Sequence, residues 1–169
     1  QFEKHILQPL PGARKVVVQD FDNNGTVDIL ALMSQGDEKI ILLLNQANFK
    51  VRLNTILSFP PVYGSSFFDV ADFYQDVTSD ILYTNGDNAD YSMILKPYHG
   101  VRVFLNNGNN NFKESWFYNM HGASQAVARD FDLDGDLDIA AISFFPDFRD
   151  RPQQGFIYFE NAEGNYIPR

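Results

Sequence analysis

Three stretches of this 169-residue chain place oxygen-bearing side chains on alternating positions of short loops. They read DFDNNGTVDIL at 20–30, DFYQDVTSDIL at 72–82 and DFDLDGDLDIA at 130–140. Carboxylates this close repel one another unless a cation sits among them. Calcium takes six to eight hard oxygen ligands, and a tight loop delivers them from alternating positions. In the third stretch the ligands are Asp130, Asp132, Asp134 and Asp138, with the backbone carbonyl of Asp136, and Gly135 at position six allows the sharp turn. The first stretch offers Asp20, Asp22, Asn24 and Asp28, with the carbonyl of Thr26 and Gly25 at position six. The second keeps Asp72, Asp76, Thr78 and Asp80, but Tyr74 replaces the second carboxylate and Val77 the glycine. Two calcium sites and a third, degenerate one that is weak or empty are therefore expected. Two bound ions would reduce the formal charge from −9 to −5.

An EF-hand is excluded, because it needs a bidentate Glu at position twelve and a helix on each side. Position twelve is Ala31 in the first loop and Ala141 in the third, and the flanks are strand formers. The last ligand stands at position nine, already entering the next strand.

The loops belong to a longer repeat, spaced 52 and 58 residues apart. A glycine precedes each first Asp by eight residues: Gly12, Gly64 and Gly122. Downstream, each copy has an apolar run ending in Asn and then an aromatic: LLLNQANF at 42–49, VFLNNGNNNF at 103–112 and YFENAEGNY at 158–166. A further aromatic-led segment follows, as in FKVRLNTILSF and FKESWFYNM. Each copy thus holds four short apolar runs separated by Gly, Asn, Asp and Pro turns, with no long helical periodicity. A four-stranded antiparallel sheet repeated at this period is the sequence form of a β-propeller blade. The expected fold is all-β, about three four-stranded antiparallel blades in one segment spanning 1–169 and cut from a larger propeller. The units run approximately 12–59, 64–120 and 122–169, with 1–11 as the last strand of a preceding or closing blade.

These residues resemble the FG-GAP/VCBS repeat family of calcium-binding β-propellers, whose blades include those of the integrin α-subunit head. The resemblance rests on the Gly–strand–DFDxDGxxDI core and on the NNG…F turn, and covers almost the whole chain. The stretch DILYTNGDNADYS…KPYHGVRVFLNNG is most similar to exported bacterial VCBS-repeat proteins. The resemblance implies a calcium-stiffened scaffold or interaction module from an extracellular, periplasmic or cell-surface protein. Its alternative is a carbohydrate-binding or polysaccharide-processing propeller.

Bulk properties agree with that class. Aromatics make up 15% of the chain, with 16 Phe and 8 Tyr, which favours strands. A net charge of −9 excludes a nucleic-acid surface, which needs basic side chains to meet phosphates. No apolar run is long enough to span a membrane. The absence of cysteine removes disulfides, thiolate nucleophiles and cysteine zinc sites. A chain that starts at Gln1 reads as a processed product or a piece of something longer.

The acidic loops join the first and second strands of each unit, so the second-to-third connections lie on the opposite face. The longest is NGDNADYSMILKPYHG, followed by FPDFRDRPQQG. Long loops on a rigid scaffold are where recognition tends to reside. Candidates on that face are Asp87, Asn88, Asp90, Tyr98 and His99, with His121 from the neighbouring turn, facing a protein, a glycan or further blades. Asp87 or Asp90 with His99 or His121 could serve as a general acid/base pair. With no nucleophile elbow, phosphate loop or HExxH, catalysis is not expected. Trp116 is expected in blade packing, and the Asp147–Arg151 charge run in a solvated loop.

Overall fold

The computed structural model describes residues 2–48, 50–87 and 93–169. It is all-β, with three four-stranded antiparallel sheets. The first contains β1 (Ala13–Gln19), β2 (Asp28–Met33), β3 (Lys39–Asn45) and β4 (Val51–Ser58) in sequential order. The second contains β5 (Ser65–Ala71), β6 (Asp80–Asn85), β7 (Gly100–Asn106) and β8 (Phe112–Asn119). The third contains β9 (Ala123–Arg129), β10 (Asp138–Ser143), β11 (Phe156–Ala162) and β12 (Asn165–Pro168), with a 3₁₀ turn at Pro152–Gly155 before β11. These are β-propeller blades. Among the described residues no helix is long and apolar enough to cross a membrane.

The chain divides into two compact units, residues 1–61 with the first sheet and 62–169 with the other two. In the first unit the middle strands, DILALM and KIILLLN, are buried along almost their whole length. A strand buried on both faces reads as a continuous apolar run rather than an alternation. Ala31, Met33, Ile41 and Leu43 form one cluster, against which Leu7, Ile29 and Val51 pack. Of residues 1–11, expected from the sequence as a strand of another blade, the described residues 2–11 form no strand here; Leu7 packs against the apolar cluster.

In the second unit the core lies between the two sheets. The innermost strand of the third sheet presents Ala123, Ala126 and Ala128 inward, all buried, beside Leu82, Val101 and Ile139. Small side chains let the backbones approach: a Cβ on Gly86 would lie 2.2 Å from the Ala123 nitrogen. The Ser66 hydroxyl donates to the Ala123 carbonyl at 2.8 Å and stitches the sheets together. Trp116 is half-buried against Phe159 and Tyr166, with ring centroids 5.2 and 4.9 Å away.

The repeated glycines mark the entry to each first strand. Gly12, Gly64 and Gly122 all have positive φ, and a register shift follows near the start of β1, β5 and β9. At Gly64 a Cβ would also stand 1.7 Å from the Asp87 carbonyl oxygen. Gly25, in the first acidic loop, has φ +85° but open space around it. Gly64→Ala is therefore expected to cost clearly more than the ~1–2 kcal/mol of left-handed backbone strain alone. Gly25→Ala should cost about that strain and no more. Urea unfolding of the two variants checks the order.

Candidate metal centre

All three acidic loops share one backbone. Positions four and six are left-handed in each: Asn23 and Gly25, Gln75 and Val77, Leu133 and Gly135. Val77, a β-branched residue at φ +69°, holds the turn that glycine makes elsewhere, under strain. The first Asp draws the loop inward. Asp20 accepts from the Asn24 and Gly25 N–H groups at 3.1 and 2.8 Å, Asp72 from those of Asp76 and Val77, and Asp130 from those of Leu133 and Gly135.

The last Asp is the deepest. Asp28, Asp80 and Asp138 are essentially buried, and each accepts the N–H of the Phe after the first Asp: Phe21 at 2.9 Å, Phe73 at 3.0 Å and Phe131 at 3.1 Å. Its second oxygen accepts an N–H from the Asn closing the third strand, Asn45, Asn106 or Asn161, at 2.8 Å in every case. That Asn returns a side-chain N–H to the carbonyl just before the Asp, on Val27, Ser79 or Leu137. Asp138 also accepts from the Tyr158 hydroxyl at 2.8 Å, a bond that pushes the phenol's pKa up. The recurring Asn was visible in the sequence, but its pairing with the last Asp was not, and Tyr158 carried no motif.

Two of the loops bring ligand atoms together. One carboxylate oxygen from each of Asp20, Asp22 and Asp28 lies within 4.8 Å of the others, and the same holds for Asp130, Asp132 and Asp138. Among the described residues no other such group occurs, because Tyr74 removes the middle carboxylate of the second loop. Asn24 in the first loop and Asp134 in the third accept N–H groups two residues on, from Thr26 at 2.8 Å and Asp136 at 3.0 Å. The donor set is oxygen only, as calcium prefers. In the third loop Asp132 and Asp136 are held above the usual carboxylate range, first by desolvation and then by neighbouring carboxylates including Asp134 and Asp138. In the second loop burial raises Asp80, whereas the hydrogen bonds from Thr78 lower Asp76. Crowded, mutually repelling oxygens are what a divalent cation relieves.

Residues 84–141, which include the whole third loop, match the FG-GAP-like repeat model. That segment is similar to one FG-GAP-like repeat. No curated protein matches its sequence. Among solved structures it is similar to the Bombyx mori GH32 β-fructofuranosidase BmSUC1, with TM-score 0.53 and 10% identity. A mutant of that enzyme in complex with sucrose matches with the same values. The match covers 94% of this chain and 37% of the enzyme, and at that identity it shows the fold alone.

The end of the second sheet opposite its acidic loop is organised by a residue that the motifs did not flag. Arg102, 4% exposed, bonds Glu114 at 3.1 Å, the Asn85 side chain and the Tyr98 carbonyl at 2.9 Å. Its guanidinium lies over the Phe117 ring at 4.1 Å and the Tyr63 ring at 5.0 Å. Tyr98 stacks on Tyr63 with centroids 5.2 Å apart, and the Lys96 ammonium lies 5.8 Å from the Tyr98 ring centre. Asp87 and His121 are half-buried near this end, while Asn88 and Asp90 lie outside the described residues. His99, read from sequence as part of the ligand-facing surface, is instead wholly enclosed, beside Tyr98 and Phe145. Among the described residues its ring nitrogens have no hydrogen-bond partner, and its burial makes it an interior group rather than a contact residue. Asp147 accepts the Arg149 and Asp150 N–H groups, and Arg149 pairs with Asp150 in an exposed turn.

Two outcomes follow. Asp138→Ala strands three donors and should cost ~3 kcal/mol or more even in EDTA. Asp132→Asn, at an exposed position, should change stability in EDTA by no more than ~0.5 kcal/mol. Chemical denaturation of both variants tests this division between scaffold and ligand. For His99, burial first, then the charges of Lys96, His121 and Arg102, hold the pKa down to about 4 from 6.5. The unfolded chain therefore binds the proton first as pH falls, and stability is lost between about 6.5 and about 4. His99→Leu should flatten the pH dependence of unfolding free energy in that window.

Proposed function

We propose that this chain is a calcium-stabilised β-propeller module of an exported protein, and that it docks a protein partner on the face opposite its acidic loops. The observation that carries the calcium reading is the pair of oxygen triads, Asp20/Asp22/Asp28 and Asp130/Asp132/Asp138. In the first loop Asn24 and the Thr26 carbonyl complete the set, and in the third Asp134 and the Asp136 carbonyl. Bound calcium would neutralise the crowded carboxylates and lock the connection between the first two strands of each blade; it supplies no chemistry beyond charge and coordination. The second loop, with Asp72, Asp76, Thr78 and Asp80 but no middle carboxylate, would bind weakly or not at all. Loops of this kind in extracellular modules have affinities around 10⁻⁴–10⁻³ M, suited to millimolar calcium outside cells.

The docking face is supported by exposed apolar side chains on the two long connections. Met93, Ile94 and Leu95 precede β7, and Phe144 and Phe148 precede β11, with Phe144 84% exposed. The two connections touch, since Phe145 packs edge-on against His99. Exposed apolar side chains on adjoining connections are the kind of surface a protein partner covers. No catalytic step is assigned to any residue.

The test is thermal unfolding in EDTA, in millimolar magnesium and in millimolar calcium. At calcium about twenty times the dissociation constant, each occupied site should add about 2 kcal/mol, a shift of several degrees. Asp22→Asn and Asp132→Asn together should abolish the shift, and magnesium should not produce it. An equal response in the double variant would end the calcium reading.

A further inference from the structure

A cavity of about 290 Å³ opens on the acidic-loop side of the second unit, between its two sheets. Phe73, Tyr74, Trp116 and Tyr166 supply four aromatic rings to its lining, and Asp136 and Glu163 two carboxylates. Among the described residues no lysine, arginine or histidine lines it. The rings form a corner rather than a flat stack. Phe73 meets Tyr166 at 87° with centroids 6.1 Å apart, and Trp116 meets Tyr166 at 53° and 4.9 Å. The Asp136 Oδ1 atom is buried and, among the described residues, has no hydrogen-bond partner of its own. The floor is fixed, because the Gln75 amide donates to the Gly135 carbonyl at 2.6 Å and ties the second loop to the third. Asn161, also in the lining, is held by its bonds to Asp138 and Leu137.

Non-parallel aromatic walls with carboxylates and no basic side chain select for an organic cation. A quaternary ammonium group places methyl groups on the rings and its charge in their quadrupole field, and needs no hydrogen-bond acceptors. The volume lies at the small end of ligand pockets and suits one head group rather than an extended molecule. We propose that this inter-blade cavity binds a methylated ammonium head group, with Trp116, Tyr166 and Tyr74 as cage walls and Asp136 and Glu163 as counter-charges. The site is separate from the docking face. It also stands independently of calcium occupancy, which would use the carbonyl of Asp136 and leave its side chain for the cavity.

Trp116 is the chain's single tryptophan, so fluorescence excited selectively in tryptophan reports from the wall of this cavity. The experiment titrates the whole chain with choline, in EDTA and in calcium, beside the neutral isostere 3,3-dimethylbutan-1-ol, a monosaccharide panel and a peptide carrying trimethyllysine. The expected result is a saturable fluorescence change with choline or the peptide, absent with the neutral isostere. The stronger of the two identifies a small-molecule or a protein source for the head group. Glu163→Gln, at an exposed hairpin position, should weaken binding about tenfold. Tyr166→Leu should abolish it, with folding verified by far-ultraviolet circular dichroism. No saturable change into the millimolar range in either buffer would overturn the proposal. So would an equal response to the neutral isostere, or a response to sugars alone.

Discussion

Each blade depends on one buried carboxylate. Asp28, Asp80 and Asp138 sit where the acidic loop runs into the second strand, and each joins two connections that the chain makes separately. One oxygen holds the loop through the N–H of a Phe, and the other holds the hairpin between the third and fourth strands through the N–H of an Asn. An ionised carboxylate away from water persists only when its oxygens are met by donors. Here backbone N–H groups meet them, in the same arrangement three times. The first Asp of each loop adds a second inward pull.

The second loop isolates the contribution of this scaffold. It lacks the middle carboxylate and carries a valine at a left-handed position, yet its hydrogen bonds repeat those of the other two almost atom for atom. The geometry that would receive a cation is thus built by the polypeptide, and the exposed carboxylates at positions three and five are additions to it. Repulsion is concentrated in the third loop, where five Asp side chains share ten residues and desolvation and mutual charge hold Asp132 and Asp136 above their ordinary pKa.

Much of this was legible because the repeat is written in side chains with a single strong conformational or chemical preference. Glycine at a left-handed position, Asp at alternating positions and short β-branched or aromatic runs led to the all-β blades. What the sequence did not disclose depends on which side chains meet across turns. Asn45, Asn106 and Asn161 recur visibly, but their pairing with the buried Asp appears only when the hairpin closes on the loop. Arg102 sits in an apolar run and shows no motif, yet it gathers Asn85, Glu114, Tyr98, Tyr63 and Phe117 around one guanidinium. His99 was misplaced for the converse reason: a polar residue in a long connection reads as exposed, and Phe145 from the next blade encloses it.

The second and third sheets are fastened at both ends. Gln75 reaches Gly135 at the acidic-loop end, and at the far end Ser66 reaches Ala123, Phe145 meets His99 and Gln154 reaches the Tyr118 hydroxyl. Fastenings spaced along a seam resist sliding as well as separation. Tension applied at the apolar end is then carried by these attachments in parallel with the packed core. In mechanical terms the two blades form a braced plate rather than a hinge.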